Sequence, residues 1–392
     1  MKRPALLLLS QFLLLVLGLF FPILFVRYNG HAAFGTVALA ATYSAVILSV
    51  VVTGLSQSIL THGLAFSRLS RYALALSLGG GLAWLVLALV MPSHGPTVYL
   101  AVVFVLAAQS SVSFIYYYAI RRRLLLILTF LMPCEALARI VALVGLHALR
   151  VSGPSILIGC YVVSNVVVSL AALALISWRA PAEDPDAGAA LRLNVAGRFM
   201  RWAVSGTVLD GFDRAGYGAM LPAVTRSPFL FFDMLYLTAF GLIANTARME
   251  VLSARHGHVF ATRRALLALV AGGLAASAAA TWAVFALGAQ LGRWTGFDPR
   301  PVAAAVLFAF LYRAALFVQF VAYGYIERGG LTDRNSTVRV VGSACLLAIA
   351  ATASFAPLQA VGWACLAVVG GLAAVSLWLA LQATDPRRTQ NS

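Results

Sequence analysis

Charge is scarce in this chain. Only 10% of its 392 residues are Asp, Glu, Lys or Arg, while 62% are hydrophobic, and the mean hydropathy is +0.92. A soluble protein of this length needs far more polar surface, so soluble enzymes and nucleic-acid-binding modules are excluded as classes. Cysteine is also scarce: Cys134, Cys160, Cys345 and Cys365 form no CxxC pair, which removes a disulfide framework and a thiolate metal site from consideration. They read as small packing residues. The six histidines are scattered. His256 and His258 make a lone HxH, too little to specify a metal, and no cofactor is expected. Long polar stretches are missing as well. No loop can house a soluble domain, so function must reside in the apolar segments and their short connections.

What is present is a series of such segments. A spanning helix needs about 20 mostly apolar residues. Windows of that size occur at 4–26, 34–56, 72–92, 97–119, 124–148, 154–177, 202–225, 228–249, 265–290, 301–325, 338–357 and 359–382. The first is longer than a signal-peptide core of roughly 7–15 residues and no small-residue cleavage site follows it, so it reads as a retained helix. With twelve helices and both termini cytoplasmic, nineteen of the 28 basic residues fall on the cytoplasmic side, Arg339 among them. Five fall outside: Arg27, Arg150, Arg226, Arg293 and Arg300. This bias is the positive-inside pattern, and it accounts for most of the formal charge of +16 without a nucleic-acid partner. A polar, proline-bearing, acidic stretch divides six windows from six. The expected organisation is an all-α polytopic membrane protein of about twelve transmembrane helices, in two six-helix bundles around a central cleft. The bundles are 1–177 and 201–384, with a cytoplasmic linker at 178–200 and a short cytoplasmic tail at 385–392. The sequon at Asn335 falls on the cytoplasmic side, where it is not used. "GGG" at Gly79–Gly81 and the Ala-rich ninth window read as close-packing surfaces.

The seventh window, "VSGTVLDGFDRAGYGAMLPAV", is the exception to the apolar rule. Thr207, Asp210, Asp213, Arg214 and Tyr217 recur at helical spacing and fall on one sector, leaving Val208, Leu209, Phe212 and Ala215 for the lipid side. Asp210 and Arg214 stand four apart with the acid first, the favourable order for an ion pair. Glu135 and Arg139 repeat that spacing in the fifth window. Asp233 opens the eighth, and Arg313 and Gln319 lie in the aromatic-rich tenth. Ionisable groups at membrane depth face protein or a wet cavity and mark pathways. The blander reading is that the pairs only lock helices together. The pathway reading makes Arg214, Arg313, Arg139, Tyr217 and Gln319 substrate-binding candidates, with Arg313 contacting a phosphate or an acid of the seventh helix. It makes Glu135, Asp210, Asp213 and Asp233 ion-coupling candidates, led by Glu135 and Asp210.

Three stretches carry a family resemblance. They are "VRYNGHAAFGTVALAATYSAVILSVVVTGLSQSIL", with Phe34-Gly35 before an apolar helix and Gly54-Leu55 near its end; "DGFDRAGYG", with the Asp213–Arg214 pair; and "RRRLLLILTFLMPCEALARIVALVGLHAL" followed by "LIGCYVVSNVV". In these the chain resembles the polysaccharide-export flippases of the multidrug/oligosaccharidyl-lipid/polysaccharide (MOP) exporter superfamily. The resemblance implies alternating access and an undecaprenyl-diphosphate-linked oligosaccharide as cargo. It also implies a bacterial inner-membrane location, no enzymatic activity, and a monomer working among membrane lipids and other polysaccharide-assembly proteins. One departure stands out: a diphosphate calls for a cationic cavity, whereas Asp210, Asp213 and Asp233 accompany Arg214. Acids in the cavity favour the first alternative, a drug or cation antiporter of the same superfamily. The second alternative, a polymerase or ligase acting on lipid-linked glycans, needs sizeable outer loops, and the longest here, "GRWTGFDPR", is short.

Overall fold

The computed structural model describes residues 3–62, 65–90, 111–122, 124–151, 154–178, 204–253, 262–329 and 331–384. Apart from Trp178, the expected linker at 178–200 lies outside them, as do the expected tail at 385–392 and the pair His256/His258. Every sequence window meets a helix, although 97–110 of the fourth lies outside the described residues. The first two windows form α1, Arg3–His62, broken only at Gly30 (φ 83°, ψ 167°). The loop expected over 27–33 therefore contracts to one residue, in a backbone conformation that glycine adopts without strain. Next come α2 (Phe66–Val90), α3 (Ser111–Arg121), α4 (Leu125–Ala148) and α5 (Pro154–Trp178). The second half holds α6 (204–220), α7 (Ala223–Ser253), α8 (Arg263–Ala286), the short α9 (Gly288–Thr295), α10 (Ala303–Arg328), α11 (Thr332–Thr352) and α12 (Leu358–Ala383). Seven helices among the described residues are long and apolar enough to cross a membrane by length and composition.

The chain divides into two compact units, Met1–Val204 and Ser205–Ser392. In the first, α4 packs on α5 and α1, and α2 packs on α5 and α3. Its core joins Leu69, Ile115, Tyr118, Leu131 and Ile176. Hydroxyls tie the same helices: Ser77 donates to Ser111 at 2.9 Å, and Ser111 lies 2.7 Å from Ser169. All three are buried, and such interhelical hydroxyl bonds serve as glue where water is absent. In the second unit α10 is the hub, packed on α7, α12 and α8. Its Tyr312, Arg313, Phe317 and Ile326 are all buried.

Glycine makes close packing possible between several of these helices. A Cβ at Gly273 of the Ala-rich α8 would overlap the Phe317 ring of α10, and one at Gly342 of α11 would overlap Leu372 of α12. Gly79 does not act this way: nothing lies within 4 Å of its would-be Cβ. The four cysteines are free; Cys160 and Cys365 are buried, as packing residues are, but Cys134 and Cys345 are exposed. Asn335 of the sequon is buried in α11 and accepts a hydrogen bond from Ser376 of α12 at 3.2 Å, which by itself removes it as a glycan acceptor.

Candidate functional site: a buried arginine–carboxylate network

Helix α6 carries the charged stretch, and it is not a uniform α-helix. Residues Asp213–Tyr217 form a π-helical turn, a wider turn that recurs at functional sites. Gly216 lies against the Phe212 ring, 2.9 Å from its would-be Cβ, and Gly218 lies as close to Phe229. Side chains there would push the turn open. The helix ends where Leu221 turns extended (ψ 143°) and Pro222 follows. Arg226, which the charge count placed simply on the outer side, closes this end. It donates to the carbonyls of Gly218 (3.1 Å), Ala219 (2.9 Å) and Leu221 (2.9 Å), groups a helix C-terminus leaves unpaired.

Arg313 of α10 is 1% exposed and lies at the centre of the network. Its Nε and Nη2 donate to the two oxygens of Asp233 on α7, both at 2.8 Å. Nη2 also reaches Asp213 on α6, 2.8 Å from Oδ1 and 2.6 Å from Oδ2. Nη1 donates to the backbone carbonyl of Asp210 at 2.9 Å. Asp213 and Asp233 are wholly buried. The guanidinium thus clamps three helices, a bidentate geometry that lysine could not reproduce. The expected contact between Arg313 and an acid of the seventh window is present.

Arg214 departs from expectation. No ion pair with the Asp210 carboxylate forms; Arg214 Nε lies 3.2 Å from Asp233 Oδ2, and its Nη2 donates to the Asp210 backbone carbonyl at 3.3 Å. The i,i+4 argument assumes α-helical spacing, and the π turn begins between the two residues. The same turn spoils the expected single sector. Tyr217 leaves the charges and stacks on Phe308 of α10, with ring centroids 3.9 Å apart. Leu209 and Phe212, expected to face lipid, are buried. The α6 backbone is gripped on that side too: the Tyr312 hydroxyl donates to the Leu209 carbonyl at 2.7 Å.

Asp210 is left half-exposed. Its Oδ1, however, is buried and has no hydrogen-bond partner among the described residues. Its charged neighbours are Arg339, Arg313 and Arg214. Arg339 was missed by the sequence reading, which counted it as a cytoplasmic loop charge. It is 6% exposed in α11, with Nη2 3.0 Å from where a Gly206 Cβ would sit. Ser343, one turn on, donates to the Ser205 carbonyl of α6 at 3.0 Å. Position just inside the start of a window, one turn after Asn335, was the available signal. Gln319 lies elsewhere and donates to the Val369 carbonyl of α12 at 3.4 Å.

The first unit holds its own pair. Arg139 and Glu135 of α4 form the expected i,i+4 ion pair. The Arg139 guanidinium carbon also lies 4.0 Å from the ring centroid of Tyr161 on α5 and 5.9 Å from that of Phe21 on α1, a cation–π arrangement that no local spacing encodes. The side chains of Arg139 and Glu135 keep 21% and 15% exposure. Among the described residues, no three His, Cys, Asp or Glu side chains could hold a metal ion.

No protein-family model matches the chain, and no curated protein matches it. Solved structures do. The chain is similar to a mutant of the Vibrio cholerae MATE transporter VcmN, with TM-score 0.52 and 13% identity over 97% of this chain and 95% of that one. It is equally similar to a multidrug resistance MATE family transporter of the MOP superfamily in an outward-facing conformation, with TM-score 0.52 and 13% identity over 99% and 96%. At such identity the likeness is one of fold: the chain is an all-α, multi-pass membrane protein with the fold of the MATE transporters.

Proposed function

We propose that the protein is a transporter working by alternating access, and that its cargo is an undecaprenyl-diphosphate-linked oligosaccharide flipped across the bacterial inner membrane with both termini in the cytoplasm. The observation that carries the transport reading is the MATE-type fold, which spans nearly the whole chain. The charged network supports it, since ionisable groups at membrane depth mark pathways. The cargo reading rests on the sequence resemblance and on Arg139 and Arg214, whose side chains keep 21% and 18% exposure. Asp210 is the acid best placed for coupling, because it alone of the three Asp residues in the network is not fully buried, and its own buried Oδ1 has no hydrogen-bond partner among the described residues. Asp213 and Asp233 are held as permanent counter-ions of Arg313.

One observation favours a second reading, a drug or cation antiporter. An unpartnered carboxylate oxygen at Asp210 suits a cation as well as a proton. Proteoliposomes decide between them. The flippase reading expects a fluorescent lipid-linked oligosaccharide to change leaflets, with no uptake of a cationic dye under a proton or sodium gradient. Dye uptake without lipid translocation establishes the antiporter instead, and neither activity sinks both.

A further inference from the structure

The part of α6 that precedes the π turn lies against α11, and a glycine admits the side chain that joins them. Gly206 is buried, and a Cβ there would meet the Arg339 guanidinium, with Nη2 at 3.0 Å and Cζ at 3.8 Å. The Ser343 hydroxyl fixes the register of the two helices. It donates to the Ser205 carbonyl at 3.0 Å and lies 2.8 Å from the Arg339 carbonyl of its own helix. Asp210 stands four residues beyond Gly206 on an α-helical stretch, so the two share a face. The face of α6 that receives Arg339 is therefore the face that carries Asp210.

Charge balance points the same way. Asp213 and Asp233 are taken by Arg313 and Arg214. Those two arginines reach Asp210 only through donors to its backbone carbonyl. The charged and titratable groups facing Asp210 are Arg214 of its own helix, Tyr312 and Arg313 of α10, and Arg339 of α11. Helix α7 adds Asp233, bound to Arg214 and Arg313, and α12 adds Cys365 near Asp213 and Tyr312. With two acids matched to two arginines, Arg339 is the cation that balances Asp210. Asp210 is half-exposed while Asp213 and Asp233 are wholly buried, so a hydrated path can bring a proton to this pair and not to the clamp at Arg313. We propose that Arg339 is the positioning residue of Asp210: a proton and the Arg339 guanidinium compete for one carboxylate, and Gly206 is the gap that admits the guanidinium beside it. The inference rests on the coupling role given to Asp210 and names what returns that acid to its charged form. A carboxylate deprived of its counter-charge where water is scarce takes up a proton instead.

The test uses the full chain in nanodiscs at neutral pH and dicyclohexylcarbodiimide, an apolar reagent that adds to the protonated form of a carboxyl group. Labelled peptides are mapped by mass spectrometry, with Asp210→Asn to assign the site. Wild type should label slowly at Asp210. Arg339→Gln should label there about tenfold faster, the change expected when one nearby opposite charge is lost. Arg339→Lys, which keeps the charge, should return the rate close to that of wild type. Gly206→Leu retains every charge but fills the place of the guanidinium, and it too should speed labelling. Glu135, in the other unit, serves as the internal reference and should label equally in all variants. The proposal falls if Arg339→Gln labels Asp210 at the wild-type rate. It falls equally if Arg339→Lys labels as fast as Arg339→Gln, or if Glu135 rises in parallel, since a general loosening then explains the change. Should Arg339→Gln yield no folded protein, Gly206→Leu decides alone. Variants that label as expected, in a protein whose transport ignores an imposed proton gradient, keep Arg339 as the partner of Asp210 and overturn the coupling reading alone.

Discussion

Arg313 shows how much a single side chain can depend on its partners. A neutral residue there leaves Asp213 and Asp233 dry and uncompensated, and breaking a buried pair typically costs about 3–5 kcal/mol. Arg313→Leu is therefore expected to lower the yield of folded protein and the unfolding temperature in detergent, beyond any effect on transport. Adding Asp213→Asn and Asp233→Asn should restore much of the loss, because neutral partners no longer need the guanidinium. If Arg313→Leu unfolds like wild type, the network is not structural. Asp210→Asn should behave differently. Its Oδ1 has no partner to lose, so the fold should persist while transport loses its response to a pH gradient; an unchanged response removes Asp210 from coupling. Glu135→Gln provides the comparison in the first unit, where the ion pair with Arg139 stands as expected. The sequence made the existence of these charges legible, and the local i,i+4 pair at Glu135 with it. It could not reveal that Arg214 turns to Asp233, because that choice depends on where α7 and α10 pass.

At the scale of elements, the decisive feature is the π turn in α6. Gly216→Ala would bring a methyl into the Phe212 ring, now 2.9 Å from that point, and should destabilise the turn. Gly273→Leu should do more harm, since overpacking a tight contact costs about 1–3 kcal/mol and Phe317 fills that space. Gly79→Ala, by contrast, meets open space and should leave stability unchanged or raise it by up to about 1 kcal/mol, the helix-propensity difference. Unfolding temperatures of the three variants rank the contacts; a Gly79→Ala variant less stable than Gly273→Leu would contradict this packing. Hydrophobic length predicts that a helix exists, because span length is set by bilayer thickness. It carries no trace of an inserted residue, so a π turn and its shift of every later side chain stay invisible until neighbouring helices show which way each residue points.

For the whole molecule, the positive-inside bias expects both termini in the cytoplasm. With Cys134, Cys160, Cys345 and Cys365 replaced, Arg293→Cys should react with an impermeant maleimide in intact cells and Arg264→Cys should not. Both side chains are exposed, so access to the correct side is the only barrier. Labelling at 264 alone would invert the topology.

The membrane class, the helix positions and the buried charges of the seventh, eighth and tenth windows were set by composition and by the period of apolar runs, since bilayer thickness and the cost of burying charge act on the chain locally. Tertiary structure alone decided the partners. It placed Arg339 beside α6, stacked Tyr217 on Phe308, set Arg139 against Tyr161 and gave Arg313 two acids from two helices. Each of those contacts joins residues far apart in the chain, and a desolvated ion or ring is stabilised by whichever group packing brings within reach.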